Sequence, residues 1–164
     1  MSTRGVQCDV RNVMVLSGSE QGIDLIVRAF VNPGDCVLVE QSTFFPALQT
    51  FRSADARIIG VPVDEHGMRT DLLDGYCARF RPKLIYTVPT FQNPTGTTLS
   101  PERRSELIDV ARRYQCLIVE DDAYGDLWYG GESSDAHRPI PLKGMENAGY
   151  VMYLSTFSKT VTSG

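Results

Sequence analysis

Residues 83–121 read KLIYTVPTFQNPTGTTLSPERRSELIDVARRYQCLIVED, and this stretch decides the fold class. Residues 83–88 form a mostly apolar, β-prone run closed by Pro89, the pattern of a strand buried on both faces. Ser100-Pro101-Glu102 is a helix start, with Ser as N-cap, Pro at the first helical position and an acid in the first turn. The helix is predicted to run to about Tyr114, with Leu107, Ile108 and Ala111 on one face. Residues 116–119, CLIV, read as the next strand. A buried strand, an amphipathic helix and a second buried strand form the repeating unit of a parallel sheet.

The same alternation extends outward in both directions. Toward the N-terminus, residues 13–16 (VMVL) read as a strand. Residues 20–31 read as a helix, with Ile23, Leu25, Ile26, Ala29 and Phe30 near helical spacing, stopped by Asn32-Pro33-Gly34-Asp35. Residues 36–39 read as a short buried strand and 43–53 as a helix. Residues 57–63 read as a strand whose Gly60 and Pro62 imply an edge position or a bend. Residues 70–80 read as a helix, and 150–154 as the last strand. Residues 130–147 are the loosest stretch, a surface excursion and not a domain linker. The expected class is α/β, a mostly parallel sheet with helices on both faces.

At 164 residues the chain has the length of about one domain, and 42% hydrophobic with 22% charged residues is globular, not disordered. No apolar run approaches the ~18–20 residues needed to span a bilayer, and the N-terminal residues lack the apolar core of a secretory signal. A net charge of −4 disfavours a polyanion partner for this segment. Cys8, Cys36, Cys77 and Cys116 are widely spaced, without a C-x-x-C pair. Buried thiols in a reducing compartment, the cytoplasm, are expected over a metal or disulfide framework.

Ligands of open parallel sheets bind at the carboxyl ends of the strands. Four polar segments fall there: Ser17-Gly18-Ser19-Glu20-Gln21, Asn93-Pro94-Thr95-Gly96, Glu120-Asp121-Asp122-Ala123-Tyr124 and Ser155-Thr156-Phe157-Ser158-Lys159. Each has an ordinary reading. The first caps a helix or cradles an anion with free backbone N–H groups and hydroxyls. The second is a turn. The acidic pair caps a helix or binds metal, and a single lysine is usually solvated.

In this order, and with Asn32-Pro33-Gly34-Asp35, the segments resemble the fold type I, class I/II aminotransferases that use pyridoxal 5′-phosphate (PLP). The likeness is strongest to the 2-aminoadipate and kynurenine branch, and extends to the aminotransferase-like domain of MocR-type GntR regulators. The resemblance implies that Lys159 is the catalytic residue and forms the Schiff base with the cofactor. That role needs an unprotonated amine, and so partial burial and positive neighbours. It implies that Asp121 pairs with the pyridine nitrogen, and that Asn93 and Tyr124 hydrogen-bond the phenolic oxygen. Ser17, Gly18, Ser19, Thr156 and Ser158 would bind the phosphate. Phe44 would stack on the ring, with an ordinary core role as its alternative. Asp122 and Phe45 are expected to be structural, Phe45 in the core. No role is assigned to His66 or His137.

Two departures stand out. Glu20 replaces the Gln usual in relatives and would repel a phosphate unless turned to solvent. None of the 13 Arg residues matches the phosphate or carboxylate arginines of the family. Arg103, Arg104, Arg112 and Arg113 are expected to form one solvated helix face. The resemblance implies that residues 1–164 are part of the large, PLP-binding domain, without the N-terminal segment and the C-terminal small domain. The implied activity is amino-group transfer between an amino acid and a 2-oxo acid, in a protein that dimerises when complete and has no membrane partner. The fragment alone would be inactive. The rival is an effector-sensing domain of a MocR-type regulator, with nucleic acid as partner only if a winged-helix domain precedes the chain. Lyases and decarboxylases share the fold as well.

Overall fold

The computed structural model describes residues 4–130 and 138–161. Its centre is a five-stranded sheet in the order β2-β1-β5-β6-β7, with every neighbouring pair parallel. The strands are β1 (Cys36–Glu40), β2 (Arg57–Val61), β5 (Leu84–Thr87), β6 (Leu117–Asp121) and β7 (Val151–Leu154). A small antiparallel hairpin, β3 (Val63–Asp64) and β4 (Gly67–Met68), leaves the edge strand β2. Helices α1 (Ser19–Phe30) and α2 (Phe45–Ser53) cover one face, and α3 (Leu73–Phe80), α4 (Pro101–Tyr114) and α5 (Leu142–Met145) the other.

Strand alternation divides the core in two. Val37, Val39, Leu84, Tyr86 and Val119 meet Ile23 and Val27 of α1 and Ala47 and Phe51 of α2. Leu38, Ile85 and Ile118 meet Leu73 and Cys77 of α3 and Leu107, Ile108 and Ala111 of α4. The expected parallel sheet with both faces covered is the observed one. Helix α4 begins as expected: the Ser100 hydroxyl accepts from Arg103 N at 3.3 Å, and Pro101 opens the first turn. Pro62 breaks the ladder after β2, and the chain turns into the hairpin at that point.

Several expectations are corrected. Residues 13–16 are not a strand. Val13, Met14 and Val15 are 38%, 72% and 94% exposed, and no described strand runs beside them, so the backbone has no ladder to join. Residues 70–72 form a 3-10 turn, and the α-helix starts at Leu73. Phe45 is 59% exposed rather than core, because α2 turns Ala47 and Phe51 inward instead. Arg104 is not solvated: it is 2% exposed and points under the loops at the top of the sheet. Cys36, Cys77 and Cys116 are buried, whereas Cys8 is exposed. Helix α5 was not foreseen in the loose stretch. The middle of that stretch, with His137, lies outside the described residues, in which no helix is long and apolar enough to cross a membrane.

Candidate functional site

Parallel strands end on one side, so the segments following β1, β5, β6 and β7 gather at one edge. Strand β6 ends in Asp121, which is 3% exposed. The neighbouring Tyr86 pairs in register with Val119 and lies on the same face as Asp121. Its hydroxyl donates to Asp121 Oδ2 at 2.7 Å. Asp121 Oδ1 is buried and has no partner among the described residues. Burial pushes the Asp121 carboxyl up to about 6; the Tyr86 hydrogen bond opposes this, the Asp122 and Glu20 carboxylates add to it, and the Lys159 ammonium opposes it.

Tyr124 follows three residues later and is half-buried. Asn93 Nδ2 donates to its hydroxyl at 3.2 Å. Lys159 Nζ lies 5.9 Å from the centre of the Tyr124 ring. Asp121, Tyr124, Asn93 and Lys159 therefore belong to one neighbourhood, although they come from three strand ends. The burial expected of Lys159 is not found: its side chain is exposed, because it sits on the turn beyond β7 and no described element packs over it.

Gln92 holds the Asn93 turn, which contains a cis Asn93–Pro94 peptide. Its Oε1 accepts from Thr95 N at 2.9 Å, and its Nε2 donates to Glu40 Oε2 at 2.9 Å and to the Ser42 carbonyl at 2.6 Å. Glu40 also accepts from the Thr87 hydroxyl at 2.6 Å and from Val88 N. Burial pushes the Glu40 carboxyl up to about 7 against these donors. On the same face of the sheet as Glu40 and Thr87, Glu120, also pushed up to about 7 by burial, accepts from Leu142 N and Lys143 N at the start of α5. Arg104 clasps the same loops from below, donating to the Leu99, Pro89 and Ile140 carbonyls and to the Thr90 hydroxyl.

Helix α1 opens at Gly18, around whose missing Cβ nothing lies within 4 Å, and no side chain caps its first turn. Ser17 N donates to Gln21 Oε1 at 2.7 Å. A Cβ on Gly22 would stand 2.7 Å from Leu154 Cδ2, so the first turn of α1 lies against the last residue of β7. Just beyond Leu154, the Thr156 and Ser158 hydroxyls are hydrogen-bonded at 2.9 Å, and Ser158 N donates to Thr156 Oγ1. Uncapped first-turn N–H groups attract an anion. Glu20 is exposed. Phe44, the residue before α2, is half-buried against the apolar cluster that Tyr124 also borders.

The sequence reading did not single out Tyr86, Glu40, Gln92 or Arg104 as partners of the site. A phenol within an aliphatic strand and a carboxylate ending an apolar run were signals, because both need buried partners. It also missed the apolar crevice beside Tyr124. There Phe91 stacks on Trp128 at 6.1 Å, and Leu127 and Tyr129 complete an open space of about 420 Å³. His66 is exposed, and its backbone N donates to Asp64.

Residues 2–163 match the family described as aminotransferase class I and II. Aromatic-amino-acid aminotransferase 1 of Thermococcus litoralis is 42% identical over 93% of this chain and 37% of its own length. An uncharacterised HTH-type transcriptional regulator of Bacillus subtilis is 38% identical over 93% of this chain and 30% of its own. Among solved structures, a kynurenine aminotransferase of Pyrococcus horikoshii in complex with PMP matches with a TM-score of 0.83 and 42% identity, over 89% of this chain and 36% of that one. The chain thus spans about a third of the length of the proteins it resembles.

Proposed function

The chain belongs to the aminotransferase class I and II family, and from that premise we propose that the protein transfers amino groups between an amino acid and a 2-oxo acid, using PLP held around Asp121 and Lys159. The observation that carries this reading is the Asp121 carboxylate, buried with one oxygen bound by Tyr86 and the other without a partner. A buried carboxylate oxygen is costly unless a donor meets it. A protonated pyridine nitrogen is such a donor, so the residues present fit the group.

When bound, PLP supplies an electron sink that acidifies the α-hydrogen of the amino acid joined to it. The chain's own residues do the rest. Asp121 keeps the ring nitrogen protonated, and Asn93 with Tyr124 tunes the phenolic oxygen. The first turn of α1 with Ser17, Gly18 and Ser19, joined by Thr156 and Ser158, holds the phosphate. Phe44 would stack on the ring. Lys159 Nζ would anchor the cofactor; freed when the substrate amine takes its place, the lysine amine would take the proton from the substrate Cα and deliver it to the cofactor carbon that Nζ had held. These residues form part of a larger cofactor-binding domain. The protein works as a homodimer in the cytoplasm, a compartment that suits the buried thiols.

The test is PLP binding by the protein as its gene encodes it. Visible imine absorbance is expected, with borohydride trapping the cofactor on Lys159, and 2-oxo acid formation from an amino-acid donor. Lys159→Ala should abolish the absorbance. Absorbance retained in that variant, or label on Lys83 or Lys143, would sink the assignment. The B. subtilis relative favours a second reading, an effector-sensing domain of a transcriptional regulator. A winged-helix segment encoded upstream, with PLP binding but no turnover, would select it.

A further inference from the structure

We infer that Tyr86 is a positioning residue of the cofactor site: by binding one carboxylate oxygen of Asp121, it leaves the other as the single oxygen offered to the cofactor ring. The inference rests on the PLP reading above. Tyr86 is fully buried in β5, its ring packed edge-on against Phe51 at 5.7 Å, so the phenol has no freedom to leave. Its hydroxyl donates to Oδ2 at 2.7 Å, and no other donor among the described residues meets that carboxylate. Asp121 would otherwise be free to turn about χ2 and to present either oxygen. One short, fixed hydrogen bond removes that choice before any ligand arrives.

The phenol also acts on the charge. Asp121 senses the charges of Asp122 next to it in the chain and of Glu20 on α1, both of which favour its protonation, and of Lys159 beyond β7, which opposes it. Glu40 on β1 also senses the Asp121 charge. Within this group Tyr86 is the direct donor that keeps the buried carboxylate ionised. The burial and acidic neighbours that surround the phenol hold its own proton firmly in place, so it acts as donor throughout the physiological range. Tyr86→Phe would remove one oxygen atom, leave the ring packing in place and strand both Asp121 oxygens.

The experiment compares Tyr86→Phe with the wild type, each as the full protein, with PLP as the probe. The expected result is a dissociation constant for PLP raised about tenfold or more, the scale of one hydrogen bond to a charged group. The acid-side midpoint at which PLP is released should move to higher pH, because Asp121 then protonates more readily. The gain in Tm on adding PLP should shrink more than the Tm of the PLP-free protein falls. In an Asp121→Ala background, Tyr86→Phe should change PLP affinity no further. Unchanged affinity and midpoint would overturn the inference, as would an equal loss of Tm with and without PLP or an undiminished effect in the Asp121→Ala background. A wild type that binds no PLP would instead overturn the reading on which the inference rests.

Discussion

Asp121 and Asp122 are neighbours in sequence, and strand alternation sends them to opposite faces. Asp121 joins Tyr86 on the face covered by α1 and α2. Asp122 takes the buried guanidinium of Arg4 and the hydroxyl of Tyr153 at 2.7 Å. The structural role expected of Asp122 is therefore visible as an ion pair that ties residue 4 to the ends of β6 and β7. Gly125 is what permits it, since a Cβ there would overlap both the Arg4 guanidinium and the Asp122 carboxylate. Gly125→Ala is expected to split the pair and to cost about 2–3 kcal/mol, read as a lowered urea midpoint. Asp121 and Tyr124 were legible in the sequence through the family resemblance. The partners of Asp122 were not, because Arg4 is more than a hundred residues away along the chain.

At the scale of elements, the alternation of apolar runs and amphipathic helices located all five strands of the main sheet to within a residue or two. Ser100, Pro101 and Glu102 located the start of α4. The exceptions share a cause. Residues 13–16 have a strand's composition but no ladder partner, and composition does not report a partner. Arg104 has the sequence of a surface residue, set between Arg103 and Ser105 on a polar helix, yet it lies under the loops and satisfies three carbonyls and a hydroxyl. Burial lowers its affinity for the proton, while the Glu120 and Asp122 carboxylates favour the charged form. Arg104→Ala is expected to cost about 3 kcal/mol or more in urea unfolding, because it strands several buried acceptors. Arg104→Lys should recover little of this, since one ammonium cannot span acceptors set around a planar fork. Full stability in either variant would show that the loops hold themselves.

For the whole molecule, three buried carboxyls dominate the pH response. Glu40 and Glu120 are pushed up to about 7 and Asp121 to about 6, in each case chiefly by burial. Their folded values lie above their ordinary ones, so the native state binds more protons than the unfolded chain between about pH 4 and 7. Stability from these groups is full at the acid end of that window and is lost as pH rises through it. Asp64 contributes in the opposite sense. The Arg103 guanidinium holds it well below the usual carboxylate range, and its share is lost only in stronger acid. Without PLP, urea midpoints are expected to fall from pH 5 to pH 8, by on the order of a few kcal/mol in stability. Added PLP should flatten the decline by giving Asp121 a partner. A midpoint that rises over this range would contradict the burial assigned to these three carboxyls.

The sequence alone determined the class of the fold, the order of the five strands of the main sheet and of helices α1 to α4, and the polar segments that follow β5, β6 and β7. These depend on local periodicity, capping and strand punctuation, which are written along the chain. The tertiary structure decided which of those groups are buried, which share a face and what each one touches. Only there do Tyr86 and Asp121 meet across adjacent strands, Gln92 reach Glu40, and Arg104 turn inward while Lys159 stays exposed. The physical reason is that desolvation and hydrogen-bond pairing are properties of neighbours in space. For a parallel sheet, those neighbours are brought together by crossovers of tens of residues.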